Sequence, residues 1–117
     1  MRYQPYDEGG PTLQEVDSMT ESRYDTRELD ASDYGGAAGY FDEAGQCQYV
    51  LPGADRWVDD ARGGLVIGLA GVDGIHFVLR PGDAAVDAHF PMEDRLERLA
   101  PGFDAFIRGW LDGSVTV

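Results

Sequence analysis

Apolar residues in the second half of the chain fall into short runs that glycines separate. Residues 65–69 form a continuous apolar run that is too short for a helix, so they predict a buried strand. Residues 75–79 and 84–90 alternate large or small apolar residues with others, and a period of two is typical of strands. The stretch from Gly63 to Phe90 therefore predicts an antiparallel sheet at the centre of the domain.

The two alternating segments are predicted to pair as a hairpin with their apolar side chains on one face. This pairing sets Phe77 against Val86. It also sets His76 opposite Asp87, with His89 on the same polar face. Two imidazoles and a carboxylate are a legitimate ligand set for zinc or non-haem iron. An ordinary cross-strand pair on a solvated face explains the same residues without a metal, and we favour it, so we predict no cofactor and no catalytic residue.

The strongest helical pattern runs from Phe103 to Leu111, where apolar residues recur at i, i+3, i+4, i+7 and i+8. Gly113 fits the C-terminal stop of this helix. The preceding residues 91–100 predict a charged turn followed by an edge strand, in which Leu96 and Leu99 are partly buried. We expect the helix to pack its aromatic face on the sheet.

The first half of the chain shows weaker patterns. Thr12 with Glu15 fits a capping box at the start of a short helix, whereas residues 18–36 do not distinguish helix from loop. Residues 37–41 and 47–51 are apolar or aromatic runs that predict a hairpin, with Gly45 at a positive-φ turn position.

Segment 54–61, ADRWVDDA, is predicted to form a helical turn that directs Trp57 inward. An aromatic residue surrounded by charged residues also has the composition of an interface hot spot with a charged rim. Both interpretations of Trp57 remain open. The same turn would bury Val58 and direct three carboxylates outward, namely Asp55, Asp59 and Asp60.

Length and charge restrict the class of protein. A chain of 117 residues is sufficient for one domain, spanning 1–117 with an irregular segment at 1–11. The single cysteine, Cys47, allows no internal disulfide, and no signal peptide or membrane span is visible, so we expect a cytoplasmic protein. The net charge of -13 disfavours nucleic acid and anionic membranes and favours a basic protein partner.

Three segments resemble the SUKH superfamily, a group named after fungal cell-wall regulators and widespread among bacterial immunity proteins. The segments are LVIGLAGVDGIHF, HFPMED and RLAPGFDAFIRGWLDG, and the resemblance covers residues 51–113. It implies an α+β fold, in which helices pack on a curved antiparallel sheet.

The resemblance also implies a non-catalytic intracellular protein that binds and neutralises a cognate toxin, often a nuclease. Acidic and aromatic loops would then engage the partner. Two alternatives are a regulatory or scaffolding adaptor outside any toxin system, and a metal protein or enzyme that uses the histidine face. The residues predicted to bind the partner are Asp55, Trp57, Asp59, Asp60, Asp73, Glu93 and Asp94.

Overall fold

Five antiparallel strands, adjacent in the order of the chain, form the main sheet. The structure is a computed structural model that describes residues 23–59 and 63–117, so the helix predicted at Thr12 lies outside the described residues. Short connections between the apolar runs allow only antiparallel neighbours. In chain order the elements are α1 (Arg27–Ala31), β1 (Tyr40–Asp42), β2 (Cys47–Val50), a 3-10 turn (Gly53–Asp55), β3 (Trp57–Asp59), β4 (Gly64–Leu69), β5 (His76–Leu79), β6 (Val86–Phe90), β7 (Arg95–Ala100) and α2 (Phe103–Asp112).

The hairpin of β5 and β6 has the predicted faces but not the predicted register. Phe77 pairs with Ala88 rather than with Val86, and His76 pairs with His89 rather than with Asp87. The predicted register is therefore wrong by two residues. A shift of two leaves every side chain on the same face, since side chains alternate with that period, and apolar alternation alone does not distinguish the two registers.

The inner face of the sheet carries the hydrophobic core. Helix α2 covers this face, as its pattern predicts, and Phe77 meets Phe106 with ring centroids 4.6 Å apart. Phe103 and Ile107 are also buried in this core. The helix ends at Gly113, whose φ of 88° is in the left-handed region that favours glycine. The α+β class and the C-terminal helix are thus confirmed.

Helix α1 occupies the segment that the sequence left undecided, and it stabilises the start of α2. Gly102, the residue before α2, has no side chain to accept a hydrogen bond from the first turn. Glu28 of α1 supplies that acceptor instead, because its Oε1 receives the backbone N–H of Asp104 at 2.6 Å. Leu29 on the same helix is buried in the core. The two helices are therefore joined by both polar and apolar contacts.

The hairpin of β1 and β2 lies against the edge of β4 beyond Val66, the residue that pairs with the start of β3. The N–H of Leu51 donates to the carbonyl of Ile67 at 2.7 Å. A Cβ on Gly68 would lie 1.9 Å from the carbonyl oxygen of Tyr49, so this close approach requires glycine. The hairpin is confirmed, but Gln46 and not Gly45 has the positive φ in its turn.

Residues 53–59 differ from the predicted helical turn. They form the 3-10 turn and then strand β3, in which Trp57 pairs with Val66 of β4. The free edge of β4 supplies backbone partners that a single helical turn lacks, and tertiary pairing of this kind overrides a local pattern. Alternation along β3 packs the partly buried Val58 against the core and turns Trp57 and Asp59 to the outer face.

Candidate functional site

The outer face of the sheet, which lies opposite α2, holds two histidines side by side. His76 on β5 and His89 on β6 are directly paired across the strands, and their ring centroids are 5.2 Å apart. His89 is only 3% exposed. Among the described residues neither of its ring nitrogens has a hydrogen-bond partner. A buried imidazole in this condition has lost its hydration without compensation, which is unfavourable unless another group occupies the site.

Asp59 of β3 completes a group of three potential ligands with the histidines. One carboxylate oxygen of Asp59 and one nitrogen from each ring all lie within 4.8 Å of one another. Asp59 pairs with Gly64 of β4, which has no side chain. Gly64 and Asp59 both line a small cavity that also contains His89. Three strands, β3, β5 and β6, therefore bring N, N and O donors to one place.

The cavity beside His89 is small and partly apolar. Val78 and Leu96 line it together with the polar groups, and the exposed Arg80 lies at its rim. Its volume is about 10 Å³, which is close to the space that one water molecule or one ion requires. The arrangement suits a single small ligand and excludes a substrate of several atoms.

Asp94 lies on the other side of His89. Its Oδ1 is 3.6 Å from Nε2 of His89, beyond hydrogen-bond distance but within reach of a charge interaction. Asp94 is in the turn between β6 and β7 with a φ of 50°, and its side chain is 71% exposed. Aspartate tolerates this conformation better than most residues. The turn thus holds a carboxylate next to the buried ring.

Asp87 does not group with the two histidines, as the metal alternative required. It pairs with Val78 across the strands, and its side chain, 7% exposed, accepts a hydrogen bond from Nε of Arg98 at 3.3 Å. Arg98 also forms an ion pair with Asp83. Hydrogen bonding to Asp87 and the charge of Asp83 raise the pKa of the Arg98 guanidinium. The structure therefore groups Asp59, and not Asp87, with the histidines.

Trp57 lies next to this group and is open to solvent. Its side chain is 49% exposed, and its ring centroid is 5.9 Å from that of His76. Asp55, two residues earlier, is also exposed, whereas Asp59 is half-buried. Of the residues predicted to bind a partner, Asp60 lies outside the described residues. Trp57 is thus a surface residue, which the prediction of an inward turn missed.

Asp73 and Glu93 meet at one end of the sheet, where the β4–β5 and β6–β7 connections lie side by side. Both line a shallow cleft whose apolar part includes Met92, which is 82% exposed. Val72, in the β4–β5 connection at the same end of the sheet, is half-exposed. The predicted partner residues therefore fall into two neighbouring sets, one around Trp57 on the outer face and one around Met92 at the strand ends.

Cys47 is not arranged as a nucleophile. It is buried in β2, and its Sγ lies 3.6 Å from the carbonyl oxygen of Leu69. Burial raises the pKa of the Cys47 thiol, and the charge of Asp42 raises it further. A thiol in this state has little thiolate at neutral pH and is a poor nucleophile.

Comparisons of the chain with family models, curated proteins and solved structures found no match. Over the described ranges, neither helix has the length and apolar character that crossing a membrane requires.

Proposed function

We propose that this protein is a non-catalytic binding protein of the immunity type, which neutralises a basic toxin by covering part of its surface. The resemblance to the SUKH superfamily implies this role. The observation that supports it best is the exposed Trp57 among acidic residues on the outer face. Large aromatic residues in a charged rim are typical of binding hot spots.

The negative charge of the chain favours a basic partner for the proposed interface. The chain carries 22 acidic against 9 basic residues, so its field accelerates encounter with a basic partner and repels nucleic acid. Asp55 next to Trp57, and Asp73 with Glu93 around Met92, place carboxylates beside exposed apolar side chains. The apolar groups would supply affinity, and the carboxylates would supply orientation and rate.

The proposal is tested by co-expressing the protein with the product of the neighbouring gene and purifying the complex. Trp57→Ala should weaken binding by at least about tenfold, as loss of a hot spot does. A triple variant, Asp55→Arg with Asp73→Arg and Glu93→Arg, should slow association and reduce its salt dependence, because the rest of the chain stays acidic. Asp33→Arg, at an exposed aspartate near α1, is the matched control and should leave binding unchanged.

Protection of growing cells from the neighbouring gene product provides the functional readout. Wild-type protein should protect, and Trp57→Ala should protect less at equal abundance. A complex that is unchanged by both variants and insensitive to salt would contradict the acidic interface. A neighbouring product without toxicity would favour the alternative of a regulatory or scaffolding adaptor, which the same surface would serve.

A further inference from the structure

We propose that Asp59, His76 and His89 bind one divalent transition-metal ion, with Zn²⁺ as the preferred occupant. This inference goes beyond the proposed toxin binding and does not depend on it. It starts from the donor set, because two imidazoles and a carboxylate favour zinc and its neighbours over Mg²⁺ or Ca²⁺, which select oxygen ligands.

The geometry is close to that of a bound ion. The three donor atoms lie within 4.8 Å of one another, while donors around tetrahedral zinc are about 3.4 Å apart, given bonds of about 2.1 Å. The side chains would have to rotate toward one another to reach this spacing. Three protein ligands leave the fourth tetrahedral position for a water molecule.

The condition of His89 is the independent observation that points to a ligand. Its ring is 3% exposed and lines the cavity, yet among the described residues neither nitrogen has a hydrogen-bond partner. A purely structural histidine at this depth would be expected to donate or accept at least one hydrogen bond. A metal bond to one nitrogen would give the buried His89 ring a partner, and it would explain why a polar ring occupies this position.

Asp94 fits the role of an outer positioning residue. Metal-bound histidines usually have a carboxylate or carbonyl near the second ring nitrogen, which orients the ring. The distance of 3.6 Å between Asp94 Oδ1 and His89 Nε2 is short enough for a small movement to form that bond. Asp94→Asn should therefore weaken metal binding by about 10-fold to 100-fold without abolishing it.

The test titrates the full chain, freed of metal by dialysis against a chelator, with Zn²⁺ and separately with Co²⁺. Calorimetry should show one saturable site per chain. Co²⁺ should give the intense visible absorption of a tetrahedral imidazole complex, which carboxylates alone do not produce. His76→Ala and Asp59→Asn should each lower Zn²⁺ affinity by more than about 100-fold, because they remove direct ligands. Asp33→Asn, at an exposed aspartate outside both proposed sites, is the matched control and should bind Zn²⁺ as the wild type does.

Thermal unfolding provides a second readout that does not depend on calorimetry. Zn²⁺ should raise the unfolding midpoint of the wild-type chain as its concentration increases, and should not raise that of His76→Ala. Lowering the pH from about 7.5 to about 5.5 should release the metal, since protons compete for imidazole. The proposal is overturned if the wild type has no saturable site, or if the site survives in both His76→Ala and Asp59→Asn.

Discussion

The two faces of the main sheet bury different kinds of side chain. The inner face under α2 buries apolar groups such as Phe77 and Val86. The outer face buries Val66 and Val78 together with two polar residues, Asp87 and His89. Asp87 has a charge partner in Arg98, whereas His89 has no hydrogen-bond partner among the described residues. One face therefore has the character of a scaffold, and the other has the character of a site.

The largest effect is expected on the inner face. Phe77→Ala should lower the free energy of unfolding by about 3–5 kcal/mol, because the ring is fully buried against Phe106 and Trp110. Urea unfolding followed by circular dichroism measures the loss. Val72→Ala, at a half-exposed residue, is the control and should change stability by less than about 0.5 kcal/mol. Similar values for the two variants would contradict the scaffold role of this face.

On the outer face, Asp87→Ala should lower the free energy of unfolding by about 1–3 kcal/mol, since it removes a buried carboxylate from a charge-assisted hydrogen bond. Arg98 is half-exposed and keeps Asp83 and solvent as partners, so the loss of Asp87 leaves its guanidinium with only a small desolvation penalty. The same unfolding experiment provides the measurement. No change in stability would mean that this ion pair only balances the cost of its burial.

His89→Leu should raise the free energy of unfolding of the metal-free chain, whereas Asp87→Ala lowers it. It replaces a buried ring that has no hydrogen-bond partner among the described residues with an apolar side chain of similar size, and the free energy of unfolding should rise by about 1 kcal/mol. The same variant should lose its response to Zn²⁺. A clear loss of stability in the absence of metal would show that the ring contributes to folding, and would remove the contrast between the two faces.

The smallest effect is a pH dependence at Asp83. Its carboxylate accepts the backbone N–H of Ala85 and lies beside Arg98, and these interactions lower the pKa of Asp83. A lowered pKa in the folded state stabilises the fold above the unfolded pKa of about 3.9, and this contribution is lost as the pH falls through the folded value. Asp83→Asn should therefore be less stable than wild type near pH 7, and this difference should shrink at acidic pH below about 3.9. An equal difference at both pH values would exclude this origin.

Periodicity predicts the scaffold better than the site. The strands β4 to β7 and the helix α2 follow from apolar patterns, because each pattern reports which face of an element is buried. The register of the histidine hairpin does not follow, since a shift of two residues buries the same side chains. The sequence therefore places His76 and His89 on one face, while the direct pairing between them emerges only from the structure.

Asp59 illustrates the second reason why the site is harder to predict. It comes from a strand of three residues that depends on pairing with β4, and a strand so short has no period to detect. The alternation of Trp57 and Asp59 before two glycines is the one local signal, and it competes with an equally plausible helical turn. A ligand group assembled from β3, β5 and β6 depends on long-range contacts that local patterns do not record.

The hydrogen bond from Asp104 to Glu28 has a consequence for the order in which the chain matures during synthesis. Helix α2 leaves the ribosome after the whole sheet, so the apolar inner face stays uncovered until residues 103–112 emerge. Glu28, which accepts the hydrogen bond from the first turn of α2, is synthesised much earlier. Arrival of α2 then covers the inner face, and a chain truncated before Phe103 would expose apolar surface and be prone to aggregation.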